Sequence, residues 1–313
     1  MDNFKKIVLS IIFSSIITFS NTAYSISVPT NVSVNWLKTN INQKDLVIVE
    51  MSDLTDYEFN GHIPGSVFTN KSNWRYEDTD GSLIHLSAKR LQQLIRELGI
   101  NNSSAVVIYY KGTEINEILG AYYLLWLFHL MGHTNVGMLD QGWSGWLKNN
   151  GQVADDIPEI TEGQFTAHPL PALEISTQEL NTIRKHFILV DGRPKTHFNG
   201  TDKFSANPKY GRIPGSISQP WSDYINKDSD KRLYVKTPDL APIFKHNKID
   251  SKQMLLLTCL GGTGAAFNYV IFYIGGHHNM RLDDAGLRRW NTLELPLIKT
   301  KKSPLNSKQV KSD

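Results

Sequence analysis

The residue with the clearest chemical potential is Cys259, the only cysteine among 313 residues. An apolar run at residues 254–257 precedes it and predicts a buried strand, and a helical pattern at 265–274 follows it. The loop between them consists of Leu260, Gly261, Gly262, Thr263 and Gly264. Because glycine tolerates the positive backbone dihedrals that β-carbons oppose, this loop can fold tightly and direct several N–H groups at one sulfur. N–H groups at the start of a helix bind anions, so we expect the loop to stabilise the Cys259 thiolate.

A reactive thiolate needs substantial stabilisation from its surroundings. A free cysteine with a pKa of about 8.5 is roughly 3% ionised at pH 7, and lowering the pKa by about two units, or about 2.7 kcal/mol, makes most of it thiolate. A helix terminus supplies roughly 0.3 to 2 kcal/mol, so N–H hydrogen bonds from the loop must supply the rest. Two alternatives compete: Cys259 could be a small buried hydrophobe, or the loop could hold a phosphate, although the Lys-Ser/Thr ending of a P-loop is missing.

Strand-like and helical patterns alternate in both halves of the chain. Such alternation predicts parallel strands joined by crossover helices. The predicted strands include residues 46–49, 105–109, 187–190 and 254–257. Helices are predicted at 87–98 and 265–274, and Gly275 and Gly276 end the second one.

Two phrases recur in the same order in each half. Gly-His-Ile-Pro-Gly-Ser at 61–66 returns as Gly-Arg-Ile-Pro-Gly-Ser at 211–216. Asp-Gln-Gly-Trp-Ser-Gly-Trp at 140–146 returns, more loosely, as Asp-Ala-Gly-Leu-Arg-Arg-Trp at 284–290. Repetition in a fixed order predicts a tandem duplication of one domain.

With these phrases and the loop after Cys259, the chain resembles the two-domain rhodaneses, the thiosulfate and mercaptopyruvate sulfurtransferases. Asp191-Gly192-Arg193 matches the Asp-x-Arg that ends the first strand of that domain, and the resemblance spans residues 34–298. It implies an α/β fold with two rhodanese-like domains, each a parallel sheet flanked by helices. The predicted organisation is a signal peptide at 1–25, a rhodanese-like domain lacking the cysteine at 26–148, a linker at 149–172, a catalytic rhodanese domain at 173–298 and a basic flexible tail at 299–313.

The resemblance implies that Cys259 carries a persulfide held by the loop from Leu260 to Gly264. The sulfur would come from thiosulfate, 3-mercaptopyruvate or a similar small donor and would pass to a thiol or cyanide acceptor without a cofactor. In relatives the residue two positions after the cysteine is basic for thiosulfate and serine for mercaptopyruvate, so Gly261 leaves the donor open. A sulfur-relay module that serves a partner protein is the alternative. Phosphatases that share the fold close a longer loop with arginine, where this chain has Ala265.

Other candidate residues have two interpretations each. Arg193, with Asp191, could bind an anionic donor or could be structural. His85 lies where mercaptopyruvate-type relatives place a histidine that reaches the active site from the first domain, but the preferred interpretation is a core or surface histidine. In the first half Tyr110 stands in place of Cys259 and Glu50-Met51-Ser52 in place of Asp-x-Arg, so this domain is predicted to shape the cleft without forming a persulfide.

The composition and the termini limit the remaining classes. Lys5 and Lys6 precede an apolar run at 7–19, which predicts a cleaved secretory signal peptide because a membrane span needs about 20 apolar residues. A secreted or periplasmic protein with no membrane span after cleavage is therefore expected. The net charge of +3 argues against nucleic-acid binding. No metal site is expected either, because the adjacent His277 and His278 point apart.

Overall fold

The structure is a computed structural model that describes residues 26–202 and 209–300. The predicted signal peptide at 1–25 and most of the predicted basic tail, from residue 301 onward, lie outside the described residues. The described chain contains two parallel sheets flanked by helices, which confirms the predicted α/β class.

The first sheet has five strands in the order β1-β7-β6-β2-β3, and every neighbouring pair in it is parallel. Two further strands, β4 and β5, form a separate antiparallel hairpin. The strands of this half are β1 (Asn31–Val32), β2 (Leu46–Met51), β3 (Val67–Thr69), β4 (Arg75–Glu77), β5 (Leu83–His85), β6 (Ala105–Tyr110) and β7 (Val136–Leu139).

The second sheet repeats this plan with four parallel strands in the order β13-β12-β8-β9, again with a separate hairpin, β10–β11. The strands are β8 (Ile188–Asp191), β9 (Ile217–Ser218), β10 (Ile225–Lys227), β11 (Leu233–Val235), β12 (Leu255–Thr258) and β13 (Met280–Leu282). Glu50 pairs with Tyr109 in the first sheet and Asp191 pairs with Thr258 in the second. The residues that follow Tyr109 and Thr258 are therefore equivalent, as the sequence alignment of the two halves predicts.

Helices connect the strands and cover both faces of each sheet. They are α1 (Val34–Asn40), α2 (Leu54–Phe59), α3 (Ala88–Glu97), α4 (Ile115–Leu130), α5 (Gly142–Lys148), α6 (Thr177–Ile183), α7 (Lys195–Asn199), α8 (Ala241–His246), α9 (Thr263–Ile274) and α10 (Gly286–Thr292). The two helices predicted at 87–98 and 265–274 are α3 and α9, with ends that differ by no more than two residues. In the part of the chain that the structure describes, no helix has the length and apolarity needed to cross a membrane.

Helices α4 and α9 join the two halves. Both are buried on nearly every side, which is the environment expected for helices that are apolar all round. They pack against each other, and the rings of Tyr122 and Phe267 lie 4.5 Å apart between centroids. The largest hydrophobic core therefore contains residues from both halves of the chain, so the two halves share one packed interior.

The hairpin of each half packs against loops of the other half that lie at the carboxyl ends of its parallel strands. In the hairpin β4–β5, the N–H of His85 donates to Oδ2 of Asp284 at 2.7 Å, just before α10. In the hairpin β10–β11, the N–H of Leu233 donates to the carbonyl of Gly112 at 2.7 Å, just after β6. This reciprocal arrangement brings residues from the first half to the loop that follows Cys259.

Candidate active site

Cys259 lies between the end of β12 and the start of α9, as predicted, and is 3% exposed. The backbone N–H groups of Gly261, Gly264 and Ala265 are directed at its sulfur. The carbonyl of Leu260 accepts the N–H of Arg288 at 3.1 Å, which fixes the loop to α10. The sulfur is therefore surrounded by the loop's donors, in the arrangement that the glycine spacing predicts.

The pKa of the thiol is shifted in the direction opposite to the prediction. Burial raises the pKa of Cys259 and outweighs the hydrogen bonds from Gly261, Ala265 and Gly264, which lower it. The negative charge of Asp191 raises it further. The prediction of a lowered pKa was wrong because it counted the N–H donors but not the cost of taking the sulfur out of water.

The three loop glycines have different roles. Only Gly262 has a positive φ, at 78°, and a β-carbon there would lie 1.9 Å from Oδ1 of Asp284. A β-carbon on Gly264 would lie 2.7 Å from the Trp221 ring, so this position is limited by packing. A β-carbon on Gly261 would make only ordinary contacts with a side chain, at 3.4 Å or more. Of the three loop glycines, only Gly262 therefore uses the positive dihedral that glycine tolerates.

Asp191 and Arg193 are bonded to each other. Nε and Nη2 of Arg193 donate to the Asp191 carboxylate at 2.6 to 3.1 Å, and Nη2 also donates to the carbonyl of Gly211 at 2.9 Å. Arg193 is 2% exposed. These contacts support the structural alternative, because the guanidinium ties the end of β8 to the Gly-Arg-Ile-Pro-Gly phrase.

His85 lies at the domain interface, behind the loop. Its ring Nε2 is 3.2 Å from Oε1 of Glu174, and Nδ1 is 2.7 Å from the carbonyl of Leu86. Burial alone would lower the pKa of His85, but the Glu174 hydrogen bond and the charges of Asp284 and Glu174 raise it to about 9. His85 is therefore protonated at neutral pH, and its backbone link to Asp284 connects it to the loop.

Sequence reasoning missed Arg75, which the hairpin β4–β5 brings to the loop. Its Nη2 donates to the carbonyl of Gly261 at 2.7 Å and lies 3.4 Å from Oδ1 of Asp284. Its guanidinium stacks over the Tyr123 ring at 4.6 Å. Burial opposes its charge, whereas Tyr123, Asp284 and Cys259 favour it and raise the pKa of Arg75. No local signal could have found this residue, because Gly261 and Asp284 follow it by 186 and 209 residues in the chain.

In the first domain Tyr110 occupies the position of Cys259. Its hydroxyl accepts the N–H of Val235 at 2.9 Å, so it holds the hairpin of the other half instead of carrying sulfur. The described residues contain no group of three or more His, Cys, Asp or Glu side chains that could hold a metal ion.

A carboxylate fills the loop after Tyr110. Glu117, on α4, accepts the N–H groups of Gly112 and Thr113 at 2.7 and 3.0 Å and the Thr113 hydroxyl at 2.6 Å. Burial raises the pKa of Glu117 to about 7 despite these bonds. The N–H of Gly112, which lies two residues after Tyr110 as Gly261 lies two residues after Cys259, is therefore bonded to a side chain in the first domain.

Comparison with known proteins is consistent with this geometry. Residues 33–149 match the Rhodanese-like domain family. The chain is 28% identical over 237 residues to the thiosulfate sulfurtransferase of Mus musculus, covering 73% of this chain and 77% of the mouse protein. It is 24% identical over 281 residues to the 3-mercaptopyruvate sulfurtransferase of Escherichia coli (strain K12), covering 85% of this chain and 96% of the bacterial protein.

Solved structures with the same fold include SseA from Escherichia coli and EanB. The SseA structure, which is described as showing the "Rhodanese" fold, has a TM-score of 0.69 and 21% identity and covers 83% of this chain and 99% of its own. The wild-type EanB structure has a TM-score of 0.73 and 19% identity and covers 87% and 69%. The tandem arrangement of two such domains is therefore shared with known proteins.

Replacing Gly262 with alanine should disrupt the loop, whereas replacing Gly261 should not. An alanine at the positive φ of Gly262 costs about 1–2 kcal/mol, and its clash with Asp284 adds to this. Gly261→Ala should change the free energy of unfolding by less than about 0.5 kcal/mol. Urea denaturation of both variants measures the difference, and equal stability of the two would contradict the loop geometry.

Alkylation should report the raised pKa of Cys259 without interference, since the chain has no other cysteine. Only the thiolate reacts with iodoacetamide. A raised pKa keeps the thiol protonated at neutral pH, so the rate should still be rising with pH above about 8.5, where a cysteine in an unstructured peptide is half ionised. A rate that levels off near pH 7 would show instead that the loop N–H groups outweigh burial.

Proposed function

We propose that this chain is a rhodanese-type sulfurtransferase with two rhodanese-like domains and that it transfers a sulfane sulfur through a persulfide on Cys259. The donor is thiosulfate, 3-mercaptopyruvate or a similar small molecule, and the acceptor is a thiol or cyanide. The observation that carries the proposal is the group of three loop N–H donors around the chain's only thiol.

The proposed reaction has two displacement steps. The Cys259 thiol first loses its proton to solvent, and the thiolate then attacks the outer sulfur of thiosulfate. The sulfur–sulfur bond of the donor breaks, and sulfite leaves with the bonding electron pair. A thiolate or cyanide then attacks the outer sulfur of the persulfide and regenerates the Cys259 thiolate, so that cyanide becomes thiocyanate. Splitting the transfer at a covalent intermediate in this way is nucleophilic catalysis.

The loop supports the persulfide more strongly than it supports the resting thiol. Burial penalises a charge on Cys259 itself. A persulfide extends one atom beyond the cysteine sulfur and carries its negative charge on the outer atom, farther from the inner sulfur where burial penalises a charge and next to the N–H donors that surround that sulfur. Fixed donors directed at a developing anion cost no reorganisation when the reaction occurs.

A sulfur-relay module is the second candidate function, and the absence of charged side chains in the loop from Leu260 to Gly264 favours it. Such a module would accept sulfur readily and pass it to a specific partner protein. Steady-state turnover distinguishes the two functions, since a relay module charged by thiosulfate should transfer sulfur to cyanide only slowly.

Incubation with thiosulfate or 3-mercaptopyruvate should add one sulfur atom to Cys259. Mass spectrometry of the intact protein, followed by peptide mapping, measures this adduct, and cyanide should remove it. Cys259→Ser is the matched control and should remain uncharged. If neither donor produces an adduct on the folded protein, sulfur transfer through Cys259 is wrong.

We also propose that the protein is exported and cleaved after Ser25, because Lys5, Lys6 and the apolar run at 7–19 form a signal-peptide pattern. Expression of the full chain in a Gram-negative host should place the mature protein in the periplasm. N-terminal sequencing should then begin at Ile26. Recovery of an uncleaved chain from the cytosol would contradict export.

A further inference from the structure

The turns of the two hairpins, at 78–82 and 228–232, have the same hydrogen-bonded structure. In each turn the N–H of the first residue donates to the carbonyl of the last, at 2.8 Å in the first turn and 3.0 Å in the second. Every pair of opposite residues in β4–β5 recurs in β10–β11 at one constant offset along the chain. Asp78 and Asp80 of the first turn therefore correspond to Asp228 and Asp230 of the second.

The first turn binds an arginine side chain from the opposite half. Arg289, on α10, donates from Nη2 to Oδ2 of Asp78 at 2.5 Å. Its Nε donates to Oδ2 of Asp80 at 2.8 Å. The two carboxylates thus hold one guanidinium between them through charge-assisted hydrogen bonds, which are the strong class of hydrogen bond.

The second turn faces α5, which contains no arginine. Trp146 of α5 corresponds to Trp290 of α10, because each indole Nε1 donates to the carbonyl six residues later. The residue before the tryptophan is Arg289 in α10 but Gly145 in α5. A β-carbon on Gly145 would lie 2.4 Å from the carbonyl oxygen of Asp140, so this position has no room for a side chain. Helix α5 therefore cannot supply the guanidinium that α10 supplies.

A cavity of about 480 Å³ lies between the second turn and α5. Asp228 and Asp230 line it from the turn. Ser144 and Lys148 line it from α5. Its volume is in the range of small-molecule sites, roughly 300–1,000 Å³. The cavity is therefore found where the equivalent interface contains the side chain of Arg289.

Both carboxylates of the cavity retain capacity to accept hydrogen bonds. Nη1 of Arg232, in the same turn, is 3.5 Å from Oδ2 of Asp230, which is longer than the usual N–H···O distance of about 2.7–3.2 Å. The Asp230 side chain is also 70% exposed. Asp228 accepts the Ser144 hydroxyl at 2.6 Å and two N–H groups of the turn at 2.8 and 2.9 Å, which uses three of the roughly four acceptor positions of a carboxylate.

We propose that this cavity binds a small molecule that has a guanidinium group at one end and a carboxylate at the other. The guanidinium lies between Asp228 and Asp230, as an arginine side chain does in the first turn. Arg232 and Lys148, which also line the cavity, supply the positive charges that the carboxylate needs. The site does not use Cys259, so the inference is independent of the proposed sulfur transfer.

Binding of L-arginine and two of its analogues tests the assignment. Isothermal titration calorimetry of the purified protein at low salt should show one site for L-arginine. L-citrulline has the same length but a neutral urea group, and it should bind at least about tenfold more weakly because it makes no charge-assisted bond to the turn. Agmatine keeps the guanidinium but lacks the carboxylate, and it should also bind about tenfold more weakly.

Three variants locate the site. Asp230→Asn removes one carboxylate from an exposed position and should weaken L-arginine binding at least about fivefold. Ser144→Arg places a guanidinium of the chain itself beside Asp228 and should abolish binding. Asp155→Asn, which changes an exposed carboxylate of the linker, is the matched control and should leave binding unchanged. Because Asp230 is exposed, its variant tests the site even if Ser144→Arg does not fold.

Three results would overturn the proposal. One is no binding of L-arginine at about 10 mM, ten times the Kd of a weak 1 mM site. Another is equal binding of L-arginine and L-citrulline, since the carboxylates would then not recognise the guanidinium. The third is unchanged binding in Asp230→Asn, which would place the ligand elsewhere. Cys259→Ser should bind L-arginine as the unchanged protein does, so a failure of sulfur transfer leaves this site standing.

Discussion

The buried carboxylate of Asp284 is the interaction on which the rest of the site depends. It accepts the Tyr123 hydroxyl at 2.8 and 2.9 Å and the N–H of His85 at 2.7 Å, and Arg75 lies 3.4 Å away. All three partners come from the first domain. Burial raises the pKa of Asp284, and these groups oppose that effect, because a buried charge is costly unless it is paired and hydrogen-bonded. Docking of the two domains therefore completes the loop around Cys259.

The two copies of the domain share one fold, but different groups face the loop that follows the equivalent strand. In the second copy loop N–H groups face a sulfur, and in the first the N–H groups of Gly112 and Thr113 are bonded to Glu117. Tyr110 takes the cysteine's place and bonds to the hairpin of the other half. The first domain therefore contributes positioning groups to the second domain's site, and its own loop is closed by the side chain of Glu117, the third residue of α4.

Burial and hydrogen bonding have opposite effects on the pKa of the Cys259 thiol. Burial favours the neutral thiol, whereas the N–H groups of Gly261, Gly264 and Ala265, which are directed at the sulfur, favour its thiolate. A buried thiol is also protected from unspecific oxidation, which matters for the single cysteine of a protein with an export signal pattern. Arg75, on the hairpin of the first domain, donates to the carbonyl of Gly261 at 2.7 Å, so a cation lies against the loop.

The sequence by itself determined the duplicated α/β fold, the position of Cys259 between a strand and a helix, and the equivalence of Tyr110, because these depend on local patterns and on repetition along the chain. Only the tertiary structure decided that burial raises the thiol's pKa and that Arg193 bonds to its neighbour Asp191. It also decided that Arg75 reaches the loop. Desolvation and contacts between distant segments arise when the two halves pack together, and no spacing along the chain encodes them.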